Sequence, residues 1–280
     1  MPLFETSALF ILLYAYQKLT GDTDWAKQYS TLLEGYAEYL AVNSLYPPSQ
    51  LISVDAISPT PNQTALAIQS IIGLNAAGII TGSSNYSELA KSFVQTIYYD
   101  GIGLDGPTVA ESTHFTYNYN GDNTWNVLFA AYSDVVLDLD TFPAAAWELQ
   151  SNWYLSQTQE EGLPFAGPAN DTGYTGGPLL WGLSDWSKIF VLLIILVTEL
   201  TRILLIDVVA AAASSTAVQQ AVVNTTHTFL TNGLNSIPFG TKYYVEGPNA
   251  GVWLANKARS TVGSNFAILA LKQGIWGDQY

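Results

Sequence analysis

Acidic residues and one histidine recur in the stretches between helical patterns: Glu5, Asp55, Asp105, Glu111, His114, Asp122, Glu160, Glu161, Asp171, Asp185 and Glu246. Hydrolysis by water needs one group to take a proton from the water and another to give one to the leaving group. A pair of carboxylates, or a carboxylate with a histidine, can do both. Cysteine is absent, which removes thiolate nucleophiles, Cys-type zinc sites and disulfides together. The chain also holds no G-x-S-x-G, S-x-x-K, H-E-x-x-H, phosphate-binding glycine motif or EF-hand loop, which disfavours a serine-nucleophile amidase of the β-lactamase-like type.

Each of these residues also has a structural role to weigh. Asp122 and Asp185 immediately precede apolar helical runs, where they fit helix caps. Glu160 and Glu161 sit in "SQTQEEG", which reads as solvated surface. His114, within "AESTHFTYNYNGDNTW", fits either a site or a satisfied structural histidine. His227, in "NTTHTF", reads as structural. Asp55 has no helix start within a few residues and no Lys or Arg nearby, so it is either solvated or held by distant groups. Trp125, Trp153, Trp181, Trp186 and Trp253, with the tyrosines of "HFTYNYN", can line a cleft for a sugar or small polar substrate, or simply pack a core.

The elements that must position these residues are helices. Apolar residues at i, i+3, i+4 and i+7 predict helices over about 4–19, 24–42, 63–80, 85–98, 123–138, 143–157, 185–209, 215–231 and 261–272. Thr23 or Asp24, then Ser84 or Asn85, are candidate caps, and Pro143 falls in a first turn after Thr141. These mark short connections. Long ones, rich in Gly, Pro, Asn and aromatics, fall at about 43–62, 99–122, 158–184 and 232–260, and the two kinds alternate along the first seven helices. If successive helices are antiparallel neighbours, all the long loops emerge at one end.

A second alternation agrees. Helices after long loops are the uniformly apolar ones ("ALAIQSIIGLNAAGII", "TWNVLFAAYSDVVL", "FVLLIILV"), and those after short loops carry polar faces ("DWAKQYSTLLEGYAEYL", "YSELAKSFVQTIYY"). A helix apolar all round is buried, and one with a polar face lies outside. The expected fold is therefore all-α, an α/α toroid of helical hairpins with the long loops forming a rim over the N-terminal ends of the inner helices. Those ends present free N–H groups and a partial positive field that favours anions. Function is expected there.

Composition narrows the partners. A hydrophobic fraction of 49% with 11% charged residues is that of a globular chain, and 280 residues suffice for a large core. With 9 Lys and Arg against 23 Asp and Glu, the formal charge is −14, which repels nucleic acid and anionic membrane surfaces. "ALFILLYAY" (8–16) follows Glu5 rather than a basic region and lacks a cleavage site, and "IFVLLIILV" (189–197) is too short to span a bilayer. Both read as core helices, so no membrane partner is expected. Asn62, Asn85, Asn170 and Asn224 each begin an Asn-X-Ser/Thr sequon, which permits glycosylation and secretion.

The stretches "LISVDAISPTPNQTALAIQSIIG" (51–73), "HFTYNYNGDNTWNVLFAAYSDVVLDLDTFP" (114–143), "LSDW" (183–186) and "FAILAL" (266–271) resemble the secreted fungal glutaminase A family and its bacterial relatives. That resemblance covers nearly the whole chain. It implies a six-hairpin glycosidase-like helical domain over 1–280, with the first helices of the barrel, a β-rich upstream domain and a signal peptide lying outside this chain. It also implies hydrolysis of L-glutamine to glutamate and ammonia in a secreted glycoprotein, without metal or organic cofactor. The implied catalytic set is Glu5 or Asp55 to activate water and His114 or Asp185 to assist the departing ammonia. The implied substrate-binding set is Asn62, Gln63, Asp122, Trp125 and Trp186. Phe4, Ala8 and Val54 depart from the family's pattern, standing where relatives carry polar groups. The alternatives are a glycosidase-like enzyme with two carboxylates across a sugar cleft, and a non-catalytic helical module packing on another domain.

Overall fold

The first apolar run forms helix α1 (Pro2–Thr20). The computed structural model describes residues 2–50, 59–121, 124–126, 128 and 130–157, with the two-residue strands at 166–167, 180–181 and 242–243. The chain divides into two compact units. The first comprises Met1–Ala146 with Asn170–Thr175, and the second Trp147–Ala169 with Gly176–Tyr280.

In the first unit, α1 is followed by α2 (Asp24–Gln28), α3 (Ser30–Asn43), α4 (Thr64–Thr81) and α5 (Ser84–Val94). The sequence of α4 contains no charged residue, and all of it except Ile79 and Thr81 is buried. By length and composition it could cross a bilayer, yet 89% of it is buried inside the protein, which makes it a core helix. Around it pack α1, α3 and α5. Leu3, Phe10 and Ile11 of α1 and Leu33, Ala37 and Leu40 of α3 are buried, each set forming one stripe of its helix. The inner and outer helices read from the apolar patterning are thus the ones observed: α4 inside, α3 and α5 outside.

Close approach demands small residues. A Cβ built on Gly73 would lie 2.6 Å from both Cα and Cβ of Ser7, so α1 and α4 cross backbone to backbone there. Gly78 makes the equivalent approach to Ser87 of α5. At the end of α4, Gly82 adopts φ 70°, the left-handed conformation that closes a helix at least cost, and the N–H of Ser83 returns to the Gly78 carbonyl at 3.0 Å.

Helix ends depart from expectation where side chains intervene. The predicted helix 24–42 is broken at Tyr29, whose N–H turns back to Ala26 O at 3.2 Å. Neither Thr23 nor Asp24 caps it; Asp22 Oδ1 accepts from the Asp24 N–H at 3.0 Å instead. Helix α5 begins at Ser84 with no side-chain cap, and its last predicted turn widens into a π-turn over Gln95–Tyr99.

The predicted helix 123–138 is shorter still. Trp125–Asn126 is extended (β1), and α6 covers only Ala130–Val136. The Thr124 carbonyl, which a helix would pair with the N–H of residue 128, faces the His114 ring nitrogen instead at 3.1 Å. Helix α6 stops before Asp138 and Asp140, both at φ 48°, while buried Asp134 accepts from the N–H groups of Thr141 and Phe142 at 3.0 and 3.1 Å. Asn75 ties this turn to the core through Leu139 O and Thr141 Oγ1. Helix α7 (Ala144–Gln157) follows Pro143, whose carbonyl accepts from Ala146.

The described parts of the second unit are most of α7 and the short strands β2 (Ala166–Gly167), β3 (Leu180–Trp181) and β4 (Lys242–Tyr243), with β3 and β4 antiparallel. The helices predicted over 185–209, 215–231 and 261–272 lie outside the described residues.

The Gly73–Ser7 crossing yields a direct test. Gly73→Ala should lower the unfolding free energy by about 1–3 kcal/mol through overpacking, although alanine is the better helix former. Chemical denaturation of the two proteins decides; equal or greater stability would show that the helices can separate without loss.

Candidate active site

The long connections around α4 do gather at one end. Residues 44–50 and 59–63 precede α4 and residues 100–121 and 124–126 follow α5, and the two groups are hydrogen-bonded together. The Thr64 N–H donates to Tyr117 O at 2.9 Å, the Tyr119 N–H to Asn62 O at 3.1 Å, and Thr60 Oγ1 to Asn118 Oδ1 at 3.0 Å. Asn62 adopts φ 57°, a conformation Asn tolerates better than most residues. Tyr119 reaches across to Leu45 O at 2.6 Å.

Gln50 and Gln63 lock this rim to the helices. The Gln50 side-chain oxygen accepts from the Leu3 N–H at 2.9 Å, at the orphan first turn of α1. Its Nε2 donates to the Tyr39 hydroxyl of α3 at 3.1 Å. Gln63, fully buried immediately before α4, donates through Nε2 to the carbonyls of Gln50 and Thr60 at 3.0 and 3.2 Å. The starts of α1 and α4 and both loops therefore share one hydrogen-bonded layer.

His114 sits in that layer at 2% exposure. Its support is Asp105, whose carboxylate accepts from the N–H groups of Thr113 and His114 at 2.8 and 3.0 Å and from the Thr113 hydroxyl at 2.7 Å. Burial would raise the Asp105 pKa, but these hydrogen bonds, with the nearby imidazole, hold it below the usual carboxylate value. The ring Nδ1 lies 2.8 Å from Thr113 Oγ1 and 3.3 Å from Asp105, and Nε2 lies 3.1 Å from Thr124 O.

A carbonyl only accepts, so Nε2 carries a hydrogen. In the neutral ring Nδ1 and Asp105 compete for the single hydroxyl hydrogen of Thr113; in the imidazolium Nδ1 donates to Thr113, which passes its own hydrogen to Asp105. Burial pushes the His114 pKa down more strongly than the Asp105 charge and the Thr124 carbonyl push it up. The neutral ring is favoured. The phenol of Tyr117 is pushed up to about 12 and that of Tyr119 well above its ordinary value, both by burial first, so both remain neutral donors.

Of the candidates read from sequence, the structure brings His114, Asn62, Gln63 and Trp125 to the rim, with Trp125 4% exposed. Glu5 is exposed in the first turn of α1, two residues from the Leu3–Gln50 bond. Glu111 is exposed and accepts from Thr108 at 2.7 Å, a local turn contact. Asp55, Asp122, Asp185 and Trp186 lie outside the described residues, as do Glu160, Glu161, Asp171, Glu246, His227, Asn170 and Asn224. Asn85 is exposed at the start of α5, at the opposite end from the rim. A cleft of 420 Å³ also opens at that far end, lined by Gln17, Thr23, Lys27, Glu34 and Gly82, remote from the candidates. Among the described residues no three His, Asp or Glu gather closely enough to hold a metal ion.

Sequence reasoning did not pair Asp105 with Thr113 and His114, nor find Gln50 as the tie between rim and helices. Neither leaves a motif: the partners meet by loop folding, not by periodic spacing.

A family model, the glutaminase A six helical-hairpin domain, matches residues 1–183 and 201–269. Glutaminase A of Aspergillus oryzae is 29% identical over 171 residues, 59% of this chain and 24% of that protein. A probable glutaminase of Arthroderma benhamiae is 24% identical over 172 residues, 50% of this chain and 20% of that protein. The chain thus spans a quarter or less of either relative's length. No solved structure matches it.

The depressed His114 pKa gives a signed expectation. As pH falls below the ordinary value of 6.5, the unfolded chain binds the proton before the folded one, so stability is lost through that window. Asp105 contributes stability that is full above 3.8 and lost as pH falls through its lowered value, further down the scale. His114→Asn should therefore flatten the decline of unfolding free energy between pH 7 and pH 5, read by denaturant titration at each pH. An unchanged slope in the variant would remove His114 as the titrating group.

Proposed function

The chain belongs to the glutaminase A six helical-hairpin family, and from that premise we propose that it is the helical domain of a hydrolase cleaving the side-chain amide of L-glutamine to glutamate and ammonia. The family match runs through both compact units, which supports reading 1–280 as one domain of helical hairpins. The observation that carries the reading is the rim, where the first turns of α1 and α4 and both described long loops share one hydrogen-bonded layer. Such a layer holds polar groups against the N-terminal end of a buried helix, where negative charge is favoured.

In this reading Asp55 or Glu5 takes a proton from water as its oxygen attacks the amide carbon. The carbonyl oxygen becomes an oxyanion at the inner-helix N-termini; in α4 the N–H groups of Ala65 and Leu66 have no intrahelical acceptor. The carbon–nitrogen bond then breaks as a protonated side chain gives its proton to the departing nitrogen, a role that the family resemblance offers to Asp185, outside the described residues. Among the described residues Asn62, Gln63 and Trp125 are the candidates for holding the substrate; Asp122 and Trp186, which the family resemblance also implies, lie outside them. His114, with both ring nitrogens engaged, acts as a positioning residue that fixes Thr124 and the start of β1. The fungal relatives and the sequons support a secreted glycoprotein, with exposed Asn85 a better glycan acceptor than half-buried Asn62.

The full-length protein should release ammonia from L-glutamine, measured by a coupled glutamate dehydrogenase assay; no release under any condition that keeps it folded would sink the proposal. Asp55→Asn should lower turnover at least about tenfold if Asp55 is the general base. Turnover equal to that of the unaltered protein would pass that role to Glu5.

A further inference from the structure

The 420 Å³ cleft at the far end of the first unit lies away from the rim and its chemistry. It opens between the last turns of α1 and α4, with α2 and the start of α3. Its floor is apolar, for Ala26, Leu33 and Ile80 are buried there. Ile79, the one exposed position of α4, adds an apolar wall that is 41% exposed. Apolar surface inside a concavity gains from being covered.

The polar lining is unbalanced in charge. Lys27 and Glu34 both face the cleft, but Lys27 is already paired, its Nζ 2.6 Å from Asp24 Oδ1. Among the described residues Glu34 has no cationic partner; its carboxylate accepts from the Tyr86 hydroxyl at 2.8 Å. Burial first, then the bond to Glu34 and the charges of Glu34 and Glu38, push the Tyr86 phenol up to about 12. Tyr86 therefore stays a neutral donor, and the Glu34 charge is left uncompensated.

The end of α4 adds to that charge. The N–H groups of Gly82 and Ser83 return to the carbonyls of Ile79 and Gly78, which leaves the carbonyls of Ile80 and Thr81 without an intrahelical donor. Both residues line the cleft, at the negative end of the helix dipole. Helices often answer this end with a lysine or arginine in the last turn. α4 has none.

We propose that this cleft binds an alkylamine, its primary ammonium on the side of Glu34 and the α4 carbonyls and its apolar stem over Leu33 and Ile79. An ammonium carries three donors and no acceptor, which matches a carboxylate and two open carbonyls. The net charge of −14 draws cations to the protein as a whole. A carboxylate on the same stem would meet Glu34 and the α4 dipole as repulsion. Free diamines and peptide lysines both present the required group. The site is separate from the amide-hydrolase reading and stands or falls without it.

The test is calorimetric titration of the full-length protein with n-hexylamine, 1-hexanol and hexanoate near neutral pH and at low salt. Hexylamine should bind, hexanol at least about threefold more weakly and hexanoate more weakly still; added salt should weaken hexylamine alone. Glu34→Gln keeps an acceptor for Tyr86 but removes the charge, and should weaken hexylamine about three- to fivefold. Lys27→Gln should leave it equal or tighter. Both side chains are exposed, so neither replacement disturbs the core. Competition against hexylamine by 1,5-diaminopentane and by Nα-acetyl-lysine methylamide separates the sources: displacement by the first marks a free amine, and by the second a peptide lysine. Hexanol or hexanoate binding as tightly as hexylamine, unchanged hexylamine affinity in Glu34→Gln, or no hexylamine binding at all would each overturn the site.

Discussion

The burial of α4 is the constraint on which the first unit depends. Its eighteen residues carry no charge and all but Ile79 and Thr81 are buried, and each fully buried Leu or Ile contributes about 1.5–3 kcal/mol only while its neighbours stay in place. That requirement dictates small residues at the crossings, Gly73 against Ser7 and Gly78 against Ser87. It also leaves the N-terminal end of α4 without solvent for its orphan N–H groups. The rim loops therefore do structural work before any chemistry: Tyr117 O receives the Thr64 N–H, and Gln63 ties the helix start to Gln50 and Thr60.

The same buried end changes the electrostatics of whatever it holds. A net charge of −14 is spread over a chain with 9 basic residues, and among the described residues the lysine ion pairs are exposed ones, Lys18 with Asp138 and Lys27 with Asp24. Such pairs are worth little. Among the described residues no lysine or arginine ion pair involves His114 or Asp105; they are organised by hydrogen bonds and burial, which lowers the His114 pKa and favours its neutral form. Among the described residues, an anionic group forming there would meet backbone N–H groups and neutral side chains.

Much of this architecture was legible in the sequence, because it follows from two periodicities: apolar against polar helix faces, and long against short connections. α4 and its outer neighbours α3 and α5 came from the first, and the clustering of loops at one end from the second. What was not legible followed from contacts between loops. The stretch from Thr124 to Asn126 carries a helical pattern, yet it is extended because the Thr124 carbonyl and hydroxyl are claimed by His114 and Tyr117. Asp105 stood among the candidate acids, but its role as the support of Thr113 and His114 depends on a loop reversal that no spacing encodes. Asn126 reads as one more residue of an apolar helix until its two unpartnered atoms are seen.

The distinction between engaged and unengaged polar groups sorts the rim by what each residue is free to do. His114 has both ring nitrogens committed, and moving it to meet a substrate would break its bonds to Thr113 and Thr124. Gln50 is committed at both ends of its amide, to Leu3 and Tyr39. Gln63 is committed through its nitrogen alone, and Asn126 through neither atom. An interaction already made in the resting protein stabilises the fold equally with and without ligand, so it cannot contribute to binding. A preorganised but unspent donor or acceptor can, because its desolvation has been met in folding and its gain is realised only when a partner arrives. By that criterion His114 and Gln50 hold the rim in shape, whereas Asn126 and the Gln63 oxygen are not committed to any partner in it.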